Sequence, residues 1–94
     1  MKLYAGISFE AAMTRDQAEQ LAGLMEEARP TRPAGVVKAL LEFDAGRGRL
    51  VAVWSDRDTL DRYLEEVSVP RGTELMRMIG LEPEVQRFDV LELG

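Results

Sequence analysis

The chain contains no cysteine, no histidine and no asparagine among its 94 residues. Without cysteine it has no disulfide, no thiolate metal site and no sulfur nucleophile. Without histidine it lacks the commonest general base near neutral pH, the commonest transition-metal ligand and the usual axial ligand for haem. Polar chemistry is left to carboxylates, arginine, tyrosine, hydroxyls and the backbone. Long apolar runs are missing too: the longest, Leu50 to Trp54, is far short of the roughly 20 residues that cross a bilayer. No membrane partner is therefore expected. A strand pattern that starts almost at Met1 leaves no room for a signal peptide, which gives a cytoplasmic location as the expectation. The net charge of −5 comes from 17 acidic and 12 basic residues scattered along the chain. With no basic stripe to neutralise phosphates, nucleic acid is not an expected partner either.

What is present reads as one domain over residues 1–94, with a modest core that buries roughly 60 to 65% of the unfolded surface. "MKLYAGISFE" alternates, with Leu3, Ala5, Ile7 and Phe9 on one face of a first strand. "TRDQ" fits a capping box in which Thr14 and Gln17 satisfy each other's free amides. The helix it starts carries Ala18, Leu21, Ala22 and Met25 at helical spacing and is stopped by Pro30 and Pro33. "VVKALLEF" and "RLVAVW" are two strands joined by the hairpin "DAGRG". Both strands are apolar on two sides: Val37, Ala39, Leu41 and Phe43 oppose Val36 and Leu40, and Val51 and Val53 oppose Leu50, Ala52 and Trp54. Ser55 or Asp56 caps a second helix with Leu60, Tyr63, Leu64 and Val67 inside. A short helix using Leu75, Met76 and Ile79 follows, ended by Gly80 and Pro83. "VQRFDVLEL" closes the chain as a fourth strand whose irregular alternation predicts a bulge or burial on both faces.

The order is βαββαβ, an α+β, ferredoxin-like fold with a four-stranded antiparallel sheet and both long helices on one face. Two helices cannot cover the second apolar face of strands two and three. A homodimer in which two sheets meet face to face solves this with one symmetric contact.

The stretch "LVAVWSDRDTLDRYL" resembles the strand three to helix two passage of the antibiotic biosynthesis monooxygenase type of dimeric α/β-barrel proteins. There an aromatic, usually Trp, precedes a Ser or Glu, an acidic pair and an amphipathic helix. "LEPEVQRFDVLEL" is similar to that family's closing strand. The resemblance implies a dimeric α/β barrel, and it spans cofactor-independent oxygenases of polyphenols and quinols, haem-degrading enzymes and small members with no established reaction. Of the family's functional positions only Trp54 is matched, where the indole lines a cavity between sheet and helices. The His and Asn that the haem-cleaving members use have no counterpart in this chain, which excludes haem degradation by their mechanism. The Asn that cofactor-free oxygenases often place near the Trp is absent as well.

Candidate site residues follow from this. Trp54 can stack an aromatic ring, and Tyr63 or Tyr4 can hydrogen-bond a phenolate. The plainer alternative is that Trp54 and Tyr63 only pack strand three onto helix two. Met76 and Met78, with Met25, can form an adaptable lid, or simply fill the core. Arg77 and Arg71 can hold an anionic group near that lid, or remain solvated. Asp56 and Asp58 read as helix-capping acids. Glu42 and Asp44 read as solvated hairpin residues. "GRGR" lacks the helix N-terminus that a phosphate loop needs.

The function expected is binding of a small aromatic or quinol-like ligand, with oxygenation that requires no cofactor and no metal. The rival expectation is a non-catalytic dimer that binds a ligand or serves assembly.

Overall fold

The computed structural model describes residues 1–94. Strand β1 (Lys2–Ala12) alternates as expected and directs Ala5, Ile7, Phe9 and Ala11 into the core, each under a tenth exposed. Thr14 and Gln17 form both halves of the capping box, with Oγ1 accepting the Gln17 N–H at 3.1 Å and Oε1 accepting the Thr14 N–H at 2.9 Å. They start α1 (Arg15–Ala28), which runs into one 3₁₀ turn over Arg29–Thr31. Ala18 and Leu21 are buried and Leu24, Met25 and Ala28 pack against the core, whereas Ala22 is exposed. Of the expected stripe only Ala22 falls outside the buried face. At 3.6 residues per turn Ala22 points roughly 100° away from the direction shared by Leu21, Met25 and Ala28.

Strands β2 (Val36–Asp44) and β3 (Arg47–Trp54) form the hairpin, joined by Ala45 and Gly46, both at positive φ (50° and 76°). That pair of torsions is the type I′ turn whose twist suits a two-residue hairpin. Helix α2 (Arg57–Glu66) is capped by Asp56, which accepts the Thr59 N–H at 2.8 Å. A third helix, α3 (Arg71–Arg77), follows Pro70 and is terminated at Gly80, whose φ is 80°. Strand β4 (Glu84–Glu92) then pairs with β1 along an unbroken register from Lys2/Glu92 to Glu10/Glu84.

The sheet order is β2-β3-β1-β4, all antiparallel, with the helices on one face: an α+β, ferredoxin-like architecture. Leu21, Leu60 and Met76 are the large side chains sealed between helices and sheet. Each contributes roughly 1.5–3 kcal/mol by transfer from water.

Two expectations about the strands need correction. The irregularity lies in β2, where the register slips between Val36 and Lys38. One extra residue, Val37, is left 51% exposed, and Val36 shifts onto the same face as Ala39 and Leu41. In β4 there is no bulge. Phe88 and Val90 lie opposite Gly6 and Tyr4 on the helix-free face, while Leu91 pairs with Leu3 on the other.

The helix-free face carries an apolar centre of Leu40, Val51, Val53, Phe88 and Val90 edged by Glu10, Lys38, Glu42 and Arg49. Phe88 lies so close over Gly6 that a Cβ there would meet its ring at 2.2 Å. The Arg49 guanidinium sits 5.3 Å from the same ring and pairs with Glu42 at 2.9 Å. No helix is long and apolar enough to cross a membrane.

Candidate functional site

Between the sheet and the helices lies a cavity of about 100 Å³. Its floor is the helix side of the sheet, with Ile7 and Phe9 of β1 and Leu50, Ala52 and Trp54 of β3. Its roof is Met25 and Ala28 of α1, Tyr63 of α2 and Leu75 of α3. Small residues create the space, because Ala28, Ala39, Ala52 and Gly72 stand where larger side chains would fill it. Two close approaches hold its aromatic walls. A Cβ at Gly72 would meet the Phe9 ring at 2.3 Å, and one at Gly35 would meet the six-membered ring of Trp54 at 2.6 Å.

Trp54 is only 3% exposed and its ring lies 4.8 Å from that of Tyr63, tilted by 39°. This distance and tilt belong to a favourable aromatic pair. The indole Nε1 is buried and has no hydrogen-bond partner, the one such side-chain atom in the molecule. A buried donor of this kind is uncommon in a native structure. The Tyr63 hydroxyl accepts the backbone N–H of Arg71 at 2.8 Å, which satisfies a free amide in the first turn of α3. Its own proton stays available for donation. The cavity therefore combines a small apolar interior with an aromatic wall of Trp54 and Tyr63, and Tyr63 is the one lining side chain that carries a hydroxyl.

The mouth is polar, built from Glu26, Arg29, Arg32 and Arg71, and no other charged residue lines the cavity. Arg29 pairs with Glu26 at 3.0 Å. Arg71 donates to the Thr31 hydroxyl at 3.2 Å and carbonyl at 3.4 Å, and its Nε is 3.4 Å from Glu74. It thereby straps α3 to the turn after α1 across the opening.

Of the five residues expected at a pocket, Trp54 and Tyr63 are brought together on this cavity. The other three are elsewhere. Tyr4 alternates with Ala5 and so projects from the opposite face of the sheet, with the Lys2 ammonium 5.0 Å from its ring. Met76 is fully buried in the core and reaches no cavity surface. Arg77 is held by Glu82 through three hydrogen bonds of 2.6 to 3.1 Å outside the cavity. That bonding raises the Arg77 pKa and lowers that of Glu82, each chiefly through the hydrogen bonds between them. Met78 is 64% exposed, while Met25 does line the roof. Asp56 serves as a cap, with its carboxyl held below the ordinary range by the hydrogen bonds from Thr59.

Sequence reasoning missed Arg29 and Arg32. Their only sequence signal was "ARPTRP", two arginines set among prolines, and nothing local says that this turn folds back over strand β3.

No protein-family model matches the chain, and no curated protein matches it. Solved structures do. A Bordetella bronchiseptica protein provisionally assigned as an antibiotic biosynthesis monooxygenase superposes with a TM-score of 0.64 at 16% identity, over 98% of this chain and 100% of that one. SnoaB, a cofactor-independent oxygenase from Streptomyces nogalater, gives 0.58 at 14% identity, over 100% of this chain and 96% of that one. The NE2512 protein of unknown function from Nitrosomonas europaea gives 0.64 at 14%, over 98% and 93%. The chain shares the backbone fold of these proteins. At such identities the likeness is one of backbone architecture, and the chemistry has to be argued from the cavity itself.

Proposed function

We propose that this protein is a cytoplasmic homodimer that binds a small aromatic, quinol-like compound between sheet and helices and oxygenates it without a cofactor. The observation that carries this reading is the Trp54–Tyr63 pair on an apolar cavity of about 100 Å³. An apolar cavity of about 150 Å³ is known to take up benzene; this one, at about 100 Å³, takes no more than a single ring, with the ring's substituent in the mouth. In the proposed reaction Trp54 stacks the ring and the Tyr63 proton steadies the substrate's phenolate. The substrate anion gives the first electron to oxygen. One oxygen atom is kept in the product, and the other leaves as water with two hydrogens of the substrate. Tyr4 has no part in it, because it lies on the far face of β1.

A second reading, a binding protein without turnover, is favoured by the absence of any proton acceptor inside the cavity. The only carboxylate that lines it is Glu26, at the mouth and paired with Arg29.

The test is a titration of the single Trp54 emission with one-ring and fused-ring quinols, followed by oxygen uptake with each compound that binds. Saturable quenching with oxygen consumed at multiple turnovers supports the oxygenase. Saturable quenching without uptake leaves the binding protein, and no quenching by any aromatic compound removes both.

A further inference from the structure

The mouth of the cavity carries positive charge in a protein whose net charge is −5. Ten of its residues are arginines, and eight of them are engaged in ion pairs within the chain. The exceptions are Arg62, on the exposed side of α2, and Arg32, which lines the cavity. Arg32 has neither an ion pair nor a side-chain hydrogen bond. At the same mouth Arg29 is neutralised by Glu26, and Arg71 lies beside Glu74 while its Nη atoms are tied to Thr31. One guanidinium is therefore left uncompensated at the opening.

From this we infer that the ligand of the cavity is a ring-sized apolar acid, an aromatic monocarboxylate whose carboxylate is held at the mouth by Arg32. The inference rests on the cavity reading above and gives the ligand its charge and its orientation. The interior is apolar, and its one hydroxyl-bearing side chain, Tyr63, is neutral. A carboxylate, ionised at every stage of binding, would lose its hydration there with no partner ion and is directed outward, whereas a phenol oxygen enters neutral and ionises only beside the Tyr63 hydroxyl. At the mouth a planar guanidinium matches a carboxylate with two parallel hydrogen bonds. One uncompensated positive charge suits one negative charge, which selects a monoacid over a dianion such as a phosphate monoester. Arg71 is pre-positioned by Thr31 to border the same group at little further entropic cost. The ring then enters first, against Trp54, and the acid stays at the surface.

The experiment compares benzoate with benzyl alcohol, the same ring bearing a neutral group, by Trp54 emission and calorimetry on the intact protein and on Arg32→Gln. Because Arg32 is exposed and makes no side-chain hydrogen bond or ion pair, its replacement does not threaten the fold. The expected result is benzoate binding at least about tenfold tighter than benzyl alcohol. That preference should shrink with added salt and vanish in Arg32→Gln, while benzyl alcohol binds both proteins alike. If the two compounds bind equally to the unaltered protein, or if Arg32→Gln retains the full preference, the assignment of the acid to Arg32 is overturned and the cavity reading stands. If neither compound binds while a quinol quenches Trp54, the acid assignment falls alone; if no aromatic compound binds, both fall together.

Discussion

The Tyr63 hydroxyl accepts the backbone N–H of Arg71 at 2.8 Å while its ring stands 4.8 Å from Trp54, so one side chain caps α3 and walls the cavity. Tyr63→Phe keeps the ring and leaves the Arg71 amide without its partner. The expected cost is about 1–2 kcal/mol in denaturant unfolding, since a part-buried amide loses its acceptor. Ligands bearing a phenolate should bind the variant more weakly, while simple hydrocarbons should not. Unchanged stability would mean that water replaces the hydroxyl without cost.

Gly35 supports the other wall. A methyl group there meets Trp54 at 2.6 Å and Thr59 at 2.5 Å, closer than side-chain contacts allow. Gly35→Ala should therefore cost about 1–3 kcal/mol as an overpacked site and shift the Trp54 emission as the indole is displaced. Emission identical to that of the parent would show that the backbone at Gly35 yields instead.

The hairpin contains a correctable flaw. Ala45 occupies φ 50° ahead of Gly46, where a side chain with Cβ is strained and Asn is the residue that type I′ turns prefer. Ala45→Asn should raise the unfolding free energy by about 0.5–1 kcal/mol, with ligand binding untouched because the turn lies away from the cavity. A fall in melting temperature would contradict the turn assignment.

The homodimer proposal predicts that Leu40→Arg, on the helix-free face, yields a folded monomer. Leu40 is 36% exposed in the single chain, so the substitution disturbs no sealed packing. Light scattering on the parent should give twice the chain mass, and on the variant the chain mass with unchanged circular dichroism. A parent protein that is already monomeric would refute the proposal.

Acid should weaken the fold through two surface carboxylates. Asp56 titrates below its ordinary 3.8 because Thr59 donates to it, and Glu82 below its ordinary 4.5 because Arg77 does. Both bind a proton more readily in the unfolded chain. Their stabilisation is thus fully present above about pH 4.5 and is lost as pH falls through the lowered folded values. Thermal midpoints should decline below that pH, and less steeply in Asp56→Asn, which cannot titrate. A midpoint that rises on acidification would contradict these assignments.

The sequence by itself determined the elements and their order, because each is written in local physics. Thr14 and Gln17 show the start of α1, Asp56 that of α2, and alternation in β1 shows which side chains go inward. Period counting erred where a local signal was ambiguous, at Ala22, at the Val36/Lys38 slip and in the bulge expected of β4. Trp54 and Tyr63 were legible as site candidates because an amphipathic aromatic at a strand end and another nearly two turns into the next helix, on its inner stripe, are placed to meet. Tyr4, Met76 and Arg77 were not distinguishable by type from true cavity residues. The tertiary structure decided them, since strand parity, core depth and a chance partner in Glu82 are properties of the packed chain. The same holds for the mouth: Arg29, Arg32 and Arg71 come from segments up to 42 positions apart, as the numbering shows. Only the crossing of the turn after α1 over the sheet brings their charges to one opening, and no local rule of sequence encodes that meeting.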